Sequence, residues 1–458
     1  MRLSFEDGTL LLRQFAPGDP VPPPFVWDAR VDHWRALALH YRQAVEFLRA
    51  SGIAFENAAP RYRHLQLQLR GAPELHPYQQ EALEGWTKGQ CRGLVVLPTG
   101  SGKSLVGLRA IAQVARSTLV VAPTIDLMNQ WYDLLSAHFG EEVGVLGGGY
   151  HQLEDLTVAT YDSAYLHVER YGNRFGLLLF DEVHHLPGEV YSHAAQMALA
   201  PYRLGLTATL ERADGRHLLL ETLVGPLLYE QGIRQLSGEY LAEYRVEQRQ
   251  VDMVAEERAA YETARSEYRA FLEAKNLKLG SAGGWKHFVQ LSSRSTEGRR
   301  AMLAYRQHRR LALGTVAKLR VLEEILKAHP RERVLVFTGD NETVYEVSRR
   351  FLVPAITHLT PTKERRALLA GFNSGEYLVL VTSKVLNEGV NIPDASVAVV
   401  LAGSATIREH VQRLGRILRQ RQGKQAVLYE VISRDTVEDH ISQRRRRHPA
   451  YTSGDAAV

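Results

Sequence analysis

Two short segments constrain this 458-residue chain more than any others: LPTGSGKS at Leu97–Ser104 and FDEVHH at Phe180–His185. Each follows an apolar run, Leu94–Leu97 and Leu177–Phe180, of the kind that forms a strand buried on both faces. A glycine-rich turn between a strand and a helix lets backbone N–H groups surround phosphate oxygens, with the positive end of the helix dipole behind them. Pro98, Thr99, Gly100, Ser101 and Gly102 form that turn. Lys103 is expected to reach the β- and γ-phosphates of ATP, and Ser104 to hold Mg2+. Asp181, at the end of the second strand, is expected to hold the same Mg2+. Glu182 is expected to orient or deprotonate the attacking water. This is the order of parts in a nucleoside triphosphatase.

Leu97 stands where the strict phosphate-loop pattern has its first glycine. The form PTGSGKS instead resembles the superfamily two helicases and translocases. The length implies about three domains. With 45% hydrophobic and 23% charged residues, the composition is that of an ordinary globular protein. One cysteine, Cys91, excludes an internal disulfide and a thiolate metal cluster. No stretch approaches the roughly 18 apolar residues of a membrane span. The start, MRLSFEDGTLLLRQF, lacks the apolar run of a signal sequence, so a soluble intracellular protein is expected. A net charge of +5 is compatible with nucleic acid without proving it.

Residues 1–70 carry a proline-rich turn, a helix candidate at Asp32–Ala50 with apolar residues at near-helical spacing, and a strand candidate at Tyr62–Leu69, where Leu65, Leu67 and Leu69 alternate. Residues 71–239 alternate apolar strands (Leu94–Leu97, Thr118–Val121, Thr157–Ala159, Leu177–Phe180, Arg203–Leu206) with helices such as Lys103–Val114 and Ile125–His138. That alternation predicts a parallel sheet covered on both faces. Residues 240–312 change character: strands vanish after Val251, and charged helix-formers dominate Ala255–Lys278 and Thr296–Arg310, with Gly280–Gly284 as a glycine-rich break. Residues 313–445 return to the alternating pattern, with strand candidates at Arg333–Phe337, Ala355–Thr357, Leu378–Val381, Val397–Leu401 and Ala426–Val431. Residues 446–458 read as a disordered tail. The fold class expected is therefore α/β: two RecA-like parallel-sheet domains sharing a cleft, a small N-terminal α+β domain and a helical insertion.

Further residues join the two leading segments. Gln79, in LHPYQQEAL before the first strand, can donate and accept at once and so read adenine; a surface helix start is the plainer alternative. Thr124, Thr160 and Ser163 follow strands and are candidates for phosphate contacts on DNA, or simple helix N-caps. Thr207 and Thr209, in LTATL, and His184 are expected to couple nucleotide state to the nucleic-acid track. A metal site at His184, His185 and Asp181 is disfavoured, because neighbours on an extended segment point to opposite faces. Gln412, Arg416 and Arg419 share one helical face. That is the cationic surface an arginine finger needs at the transferring phosphoryl group, and a solvated basic face is the alternative. Thr382, Ser383 and Lys384, in LVTSKVL, are candidates for DNA contact or coupling.

The series DEVHHLPG at Asp181–Gly188, LGLTATL at Leu204–Leu210, GPLLYE at Gly225–Glu230, TSKV at Thr382–Val385 and QRLGRILR at Gln412–Arg419 resembles the XPB family of superfamily two DNA helicases. VWDAR at Val26–Arg30 looks like the compact damage-recognition domain of archaeal and bacterial members. The resemblance implies a 3′–5′ polarity, a role in DNA repair, forked, single-stranded or distorted duplex DNA as partner, a structure-specific nuclease as protein partner, and a cytoplasmic, nucleoid-associated location in a prokaryote. It also implies that the helical block at 240–312 is the family's thumb, where Arg269, Phe271, Trp285, Lys286 and Phe288 either grip DNA or pack inward. One departure stands out. The family's Arg-Glu-Asp triplet is Arg212, Ala213 and Asp214 here, which weakens the case for strand separation by this element. The leading expectation is an ATP-dependent DNA helicase or duplex translocase. The alternatives are the motor subunit of a nuclease or restriction complex, an RNA remodeller, or an ATP-switched DNA platform that separates no strands.

Overall fold

The computed structural model describes all residues except 15–17, 19, 213, 280–282, 384–394, 403–424, 440, 441 and 443–458. The chain divides into two compact units, one covering Met1–Gln235 and one beginning at Leu236.

The first unit opens with a five-stranded sheet of β1 (Arg2–Glu6), β2 (Thr9–Arg13), β3 (Val26–Asp28), β4 (His33–Leu37) and β5 (Glu56–Asn57), in the order β3-β4-β2-β1-β5. Leu3, Leu10, Leu12 and Ala36 of this sheet bury against Tyr41, Ala44 and Leu48 of the helix Tyr41–Ala50. The helix expected from Asp32 therefore starts nine residues late. Asp32 has a left-handed φ of 56°, and His33–Leu37 pairs with β2 on one side and β3 on the other. Ladder pairing outweighs the helical spacing of Trp34 and Leu37.

Tyr62–Leu69 is also not a strand of any sheet. It is an extended strap with one isolated bridge, His64 to Arg116. Its backbone is satisfied by loops of the neighbouring layer: Arg61 N–H donates to Asn173 O at 2.8 Å and Leu65 N–H to Ala115 O at 3.0 Å, and Arg63 N–H donates to Ser117 Oγ at 2.8 Å. Leu65, Leu67 and Leu69 are the half-buried side of the strap. The alternation was real, but its partners are loops.

The larger sheet of this unit contains β6 (Arg92–Val96), β7 (Thr118–Ala122), β8 (Val143–Gly147), β9 (Tyr150–Gln152), β10 (Leu156–Thr160), β11 (Leu177–Asp181), β12 (Tyr202–Thr207) and β13 (Leu227–Glu230). Their order is β13-β6-β12-β11-β7-β10-β8-β9, and all pairs are parallel except β8–β9. Strands such as Leu177–Asp181 and Thr118–Ala122 are buried at every position, as a sheet covered on both faces requires.

The second unit holds a six-stranded, all-parallel sheet: β14 (Glu243–Val251), β15 (Val334–Phe337), β16 (Ala355–Ile356), β17 (Val379–Thr382), β18 (Val397–Val400) and β19 (Gln425–Ser433), in the order β14-β19-β18-β15-β17-β16. The segment 243–251 is thus an edge strand of this sheet, and the helices begin at Ala255, as the end of strand character at Val251 predicts. Helices Ala255–Ala274, Gly284–Ser292 and Thr296–Leu313 share a core of their own. Phe271 and Phe288 are buried in it, while Arg269, Lys286 and Trp285 are exposed. Of the two readings of these aromatics, inward packing holds for both phenylalanines. Below this block, Lys318 Nζ lies 2.5 Å from Glu438 Oε2, both fully buried, and also donates to the carbonyl of Leu401. This pair, with its hydrogen bonds satisfied as burial demands, pins the chain as it leaves β18.

Candidate active site

Parallel strands present their carboxyl ends on one edge, where ligands of open α/β sheets bind. Here three neighbours matter: β6, β12 and β11. Val96 pairs with Thr207, and Leu206 with Asp181. The loop that follows β6 and the carboxylates that close β11 are therefore level, separated by one strand that ends in Thr207.

The loop after β6 turns through Gly100 and Gly102, with φ of +87° and +77°. At Gly102 a Cβ would also stand 2.5 Å from Gln79 Nε2. Helix Lys103–Val114 begins there with no side-chain cap, which leaves first-turn N–H groups for an anion. Lys103 Nζ rests on the carbonyls of Leu97 and Pro98 at 3.2 and 3.3 Å. The loop is braced from outside: Tyr78 Oη and Gln79 Nε2 both donate to Ser101 O at 2.7 Å, and Ser101 Oγ donates to Pro98 O at 2.7 Å. Thr99 Oγ1 is buried without a hydrogen-bond partner among the described residues. A polar loop with an uncapped helix, a lone ammonium and an orphaned hydroxyl fits the triphosphate of ATP. Ser104 at the helix start and Asp181 across from it fit a hard, oxygen-liking Mg2+.

Asp181 is almost fully buried. Its Oδ2 accepts from the indole N–H of Trp131 at 2.9 Å, its Oδ1 from the N–H of Glu182 at 3.0 Å, and its backbone carbonyl from Tyr161 Oη at 3.0 Å. Burial and the adjacent Glu182 carboxylate push its carboxyl up to about 6, against the pull of Trp131 and Lys103. A divalent cation held there would relieve that repulsion. Glu182 sits at φ 47°, ψ 54°, a left-handed conformation that costs a non-glycine residue energy and clusters at functional sites.

Val183–His185 forms one turn of 3-10 helix. It is not extended as expected, and the His184 and His185 rings are 4.4 Å apart. His184 is fully buried and its Nδ1 lies 2.9 Å from Thr207 Oγ1. Thr207 Oγ1 donates to Thr209 O at 2.9 Å, and both it and His184 Nδ1 lie 3.4 Å from Glu182 Oε2. Glu182, His184, Thr207 and Thr209 thus form one connected group, and Arg212 donates to the carbonyl of His184. Arg212 and Asp214 form a two-point pair at 2.9 and 2.7 Å. The Arg212 guanidinium holds the Asp214 carboxyl well below the usual carboxylate range.

Of the expected DNA contacts, Thr124 and Thr160 are N-caps, each accepting at 3.2 Å from the N–H three residues on, Leu127 and Ser163. Thr124 follows the carboxyl end of β7 and Thr160 is the last residue of β10, both in the sheet that carries the phosphate loop. Thr382 is fully buried and donates to Ser383 O at 3.3 Å, and Ser383 is nearly as buried. Lys384, Gln412, Arg416 and Arg419 lie outside the described residues. Gln79 is buried, with Oε1 on His76 N–H at 2.9 Å and Nε2 on Ser101 O. It braces the phosphate loop whatever else it touches. Tyr78, Trp131 and Tyr161 were not anticipated. Their only sequence signal is a polar-tipped aromatic within or next to a motif, since a buried Tyr or Trp seeks a partner for that tip.

A phosphate loop and an acidic pair on strands one apart in a parallel sheet, followed by a second parallel-sheet unit, define a RecA-like ATPase of the helicase class. Residues 3–59 match the family described as xeroderma pigmentosum group B helicase damage recognition domain, 72–212 the type III restriction enzyme res subunit, and 317–421 the helicase conserved C-terminal domain. A protein of Sulfurisphaera tokodaii named DNA 3′-5′ translocase XPB2 is 39% identical over 97% of this chain and 99% of its own length. One of Mycobacterium tuberculosis named DNA 3′-5′ helicase XPB is 32% identical over 82% of this chain and 63% of its own length. The chain belongs to the XPB family of superfamily two helicases. The Hef helicase domain of Pyrococcus furiosus shares the fold, with a TM-score of 0.55 at 17% identity over 83% of this chain and all of that one. Among the described residues, no helix is long and apolar enough to cross a membrane.

Proposed function

We propose that this chain is an ATP-dependent 3′–5′ DNA translocase that moves along or opens DNA during repair. The observation that carries the reading is the level placement of the Lys103–Ser104 turn and the Asp181–Glu182 pair across β12, in a chain similar over nearly its whole length to a protein named as such a translocase. Lys103 and the loop N–H groups hold the phosphates. Ser104 and Asp181 hold Mg2+, which when bound supplies positive charge at the β- and γ-phosphates. Glu182 aligns and deprotonates the attacking water, and Arg416 and Arg419 stabilise charge on the γ-phosphoryl group. The His184–Thr207–Thr209 group carries the change at Glu182 toward Arg212. Thr124, Thr160 and Ser163, at helix starts, contact the DNA backbone. The domain boundaries proposed are 1–70, 71–239, 240–312 and 313–445, with a nuclease as partner and a nucleoid-associated location.

A second reading, a DNA platform switched by ATP without strand separation, is favoured by one observation. Arg212 and Asp214 engage each other, and Arg212 also engages the DEVHH turn, so their charges are already paired without a duplex. Strand displacement on forked DNA, measured beside ATPase activity, separates the two: hydrolysis without displacement supports the platform.

The N-terminal sheet supplies the DNA-structure preference in this proposal. It shares its core with Leu199 of the larger layer, so the test keeps the full chain. Trp27 is 49% exposed and stacks edge-on against Trp34 at 5.7 Å. Trp27→Ala should leave basal ATPase activity unchanged and lower the preference for forked or distorted DNA over plain duplex about five-fold or more, the order of one lost base–aromatic contact. Competition binding at fixed salt reads this directly; an unchanged preference removes Trp27 from recognition.

A further inference from the structure

Trp131 belongs to neither the phosphate loop nor the acidic pair, yet it bonds to Asp181 and packs on the helix that follows the loop. It lies on helix Ile125–Phe139, 1% exposed. One end of its indole donates to Asp181 Oδ2 at 2.9 Å. The other end reaches Gly107, where an added Cβ would stand 2.7 Å from Trp131 Cη2 and 2.9 Å from Leu179 Cδ1. Gly107 is one turn beyond Lys103 on the helix that starts the phosphate site. The glycine therefore makes room for the ring, and the ring spans from the helix carrying Lys103 and Ser104 to the carboxylate that faces them. An indole is rigid beyond its two side-chain torsions, so it sets this span with little freedom.

The hydrogen-bond pattern says what the span is for. Asp181 Oδ1 accepts from the Glu182 N–H, a bond within its own turn. Oδ2 accepts from Trp131, a residue 50 positions away. Without the indole N–H, one oxygen of a nearly fully buried carboxylate loses a donor and the carboxylate is free to rotate about its last torsion. Outer-shell donors of this kind orient metal-binding carboxylates and tune their affinity.

We infer that Trp131 is a positioning residue for Mg2+: its N–H fixes the rotation of the Asp181 carboxylate, and its ring sets the carboxylate's distance from the phosphate-loop helix. The inference rests on the reading of Asp181 as the Mg2+ ligand. The test measures binding without turnover, on the full chain. A fluorescent, non-hydrolysable ATP analogue is titrated by anisotropy, first in EDTA and then across Mg2+ concentrations. Two replacements are compared with the native protein: Trp131→Phe, which removes the N–H and some volume, and β-(3-benzothienyl)alanine at position 131, which keeps the indole shape with sulfur in place of N–H. Both should raise the Mg2+ midpoint about ten-fold, while affinity in EDTA stays within two-fold of native. A purely structural role would move affinity in both media or neither. If Trp131→Phe fails to fold, the isosteric replacement decides alone. A Mg2+ midpoint within two-fold of native in the benzothienyl protein overturns the inference. If the native protein itself shows no Mg2+-dependent binding, the assignment of the ATP–Mg2+ site is what fails.

Discussion

Glu182→Gln should lower kcat about 10²–10⁴-fold, the range contributed by a positioned general base, while ATP affinity changes little. The amide keeps the size of the side chain and leaves both oxygens of Asp181 with their donors, Trp131 and the residue-182 N–H. It replaces the carboxylate, whose Oε2 lies 3.4 Å from both His184 Nδ1 and Thr207 Oγ1, by a neutral amide that cannot take the proton of the attacking water. Lys103→Ala serves as the contrast. It removes the ammonium that rests on the loop carbonyls and should reduce binding as well as turnover. Single-turnover hydrolysis beside equilibrium binding of ATP separates the two. A Glu182→Gln protein that turns over at the native rate would remove Glu182 from the water-activating role.

Arg416→Ala and Arg419→Ala should each lower kcat by about 10³-fold or more, the scale on which an arginine stabilises the transferring phosphoryl group. ATP affinity should fall far less, because the charge they meet develops in the transition state. Neither residue lies within the described part of the structure, so the expectation rests on QRLGRILR at Gln412–Arg419 and on family membership. Arg→Lys at either position should not restore the rate, since an ammonium lacks the planar two-point geometry. Unchanged kcat in both alanine proteins would remove Arg416 and Arg419 from phosphoryl-group stabilisation.

The phosphate loop and the acidic pair were legible because their chemistry is local. Gly100 and Gly102 must take positive φ, and Asp181 must end a strand. What escaped reading depends on partners distant in sequence. His33–Leu37 carries helix-like spacing, yet β2 and β3 claim it as a strand. Leu65, Leu67 and Leu69 alternate as a strand does, but the strap's backbone bonds to loops, with Arg61 N–H on Asn173 O and Leu65 N–H on Ala115 O. The end of strand character at Val251 was legible, but nothing in Glu243–Val251 shows that its partner is β19, far along the chain. Trp131 reads as an ordinary core position on an amphipathic helix, because nothing near it in sequence announces Asp181. Arg212 and Asp214 were legible as a motif; that they hold each other was not.

The central claim is that ATP hydrolysis at Lys103, Asp181 and Glu182 drives directional movement on DNA. Stopped-flow arrival at a fluorophore placed on either end of DNA of increasing length tests it most directly, with phosphate release followed in the same samples. The account predicts DNA-stimulated phosphate release and a lag that lengthens with DNA length. Arrival should occur at the 5′ end of the tracked strand, and both signals should vanish in Glu182→Gln. Phosphate release with no length-dependent lag, or arrival at the 3′ end, would contradict it.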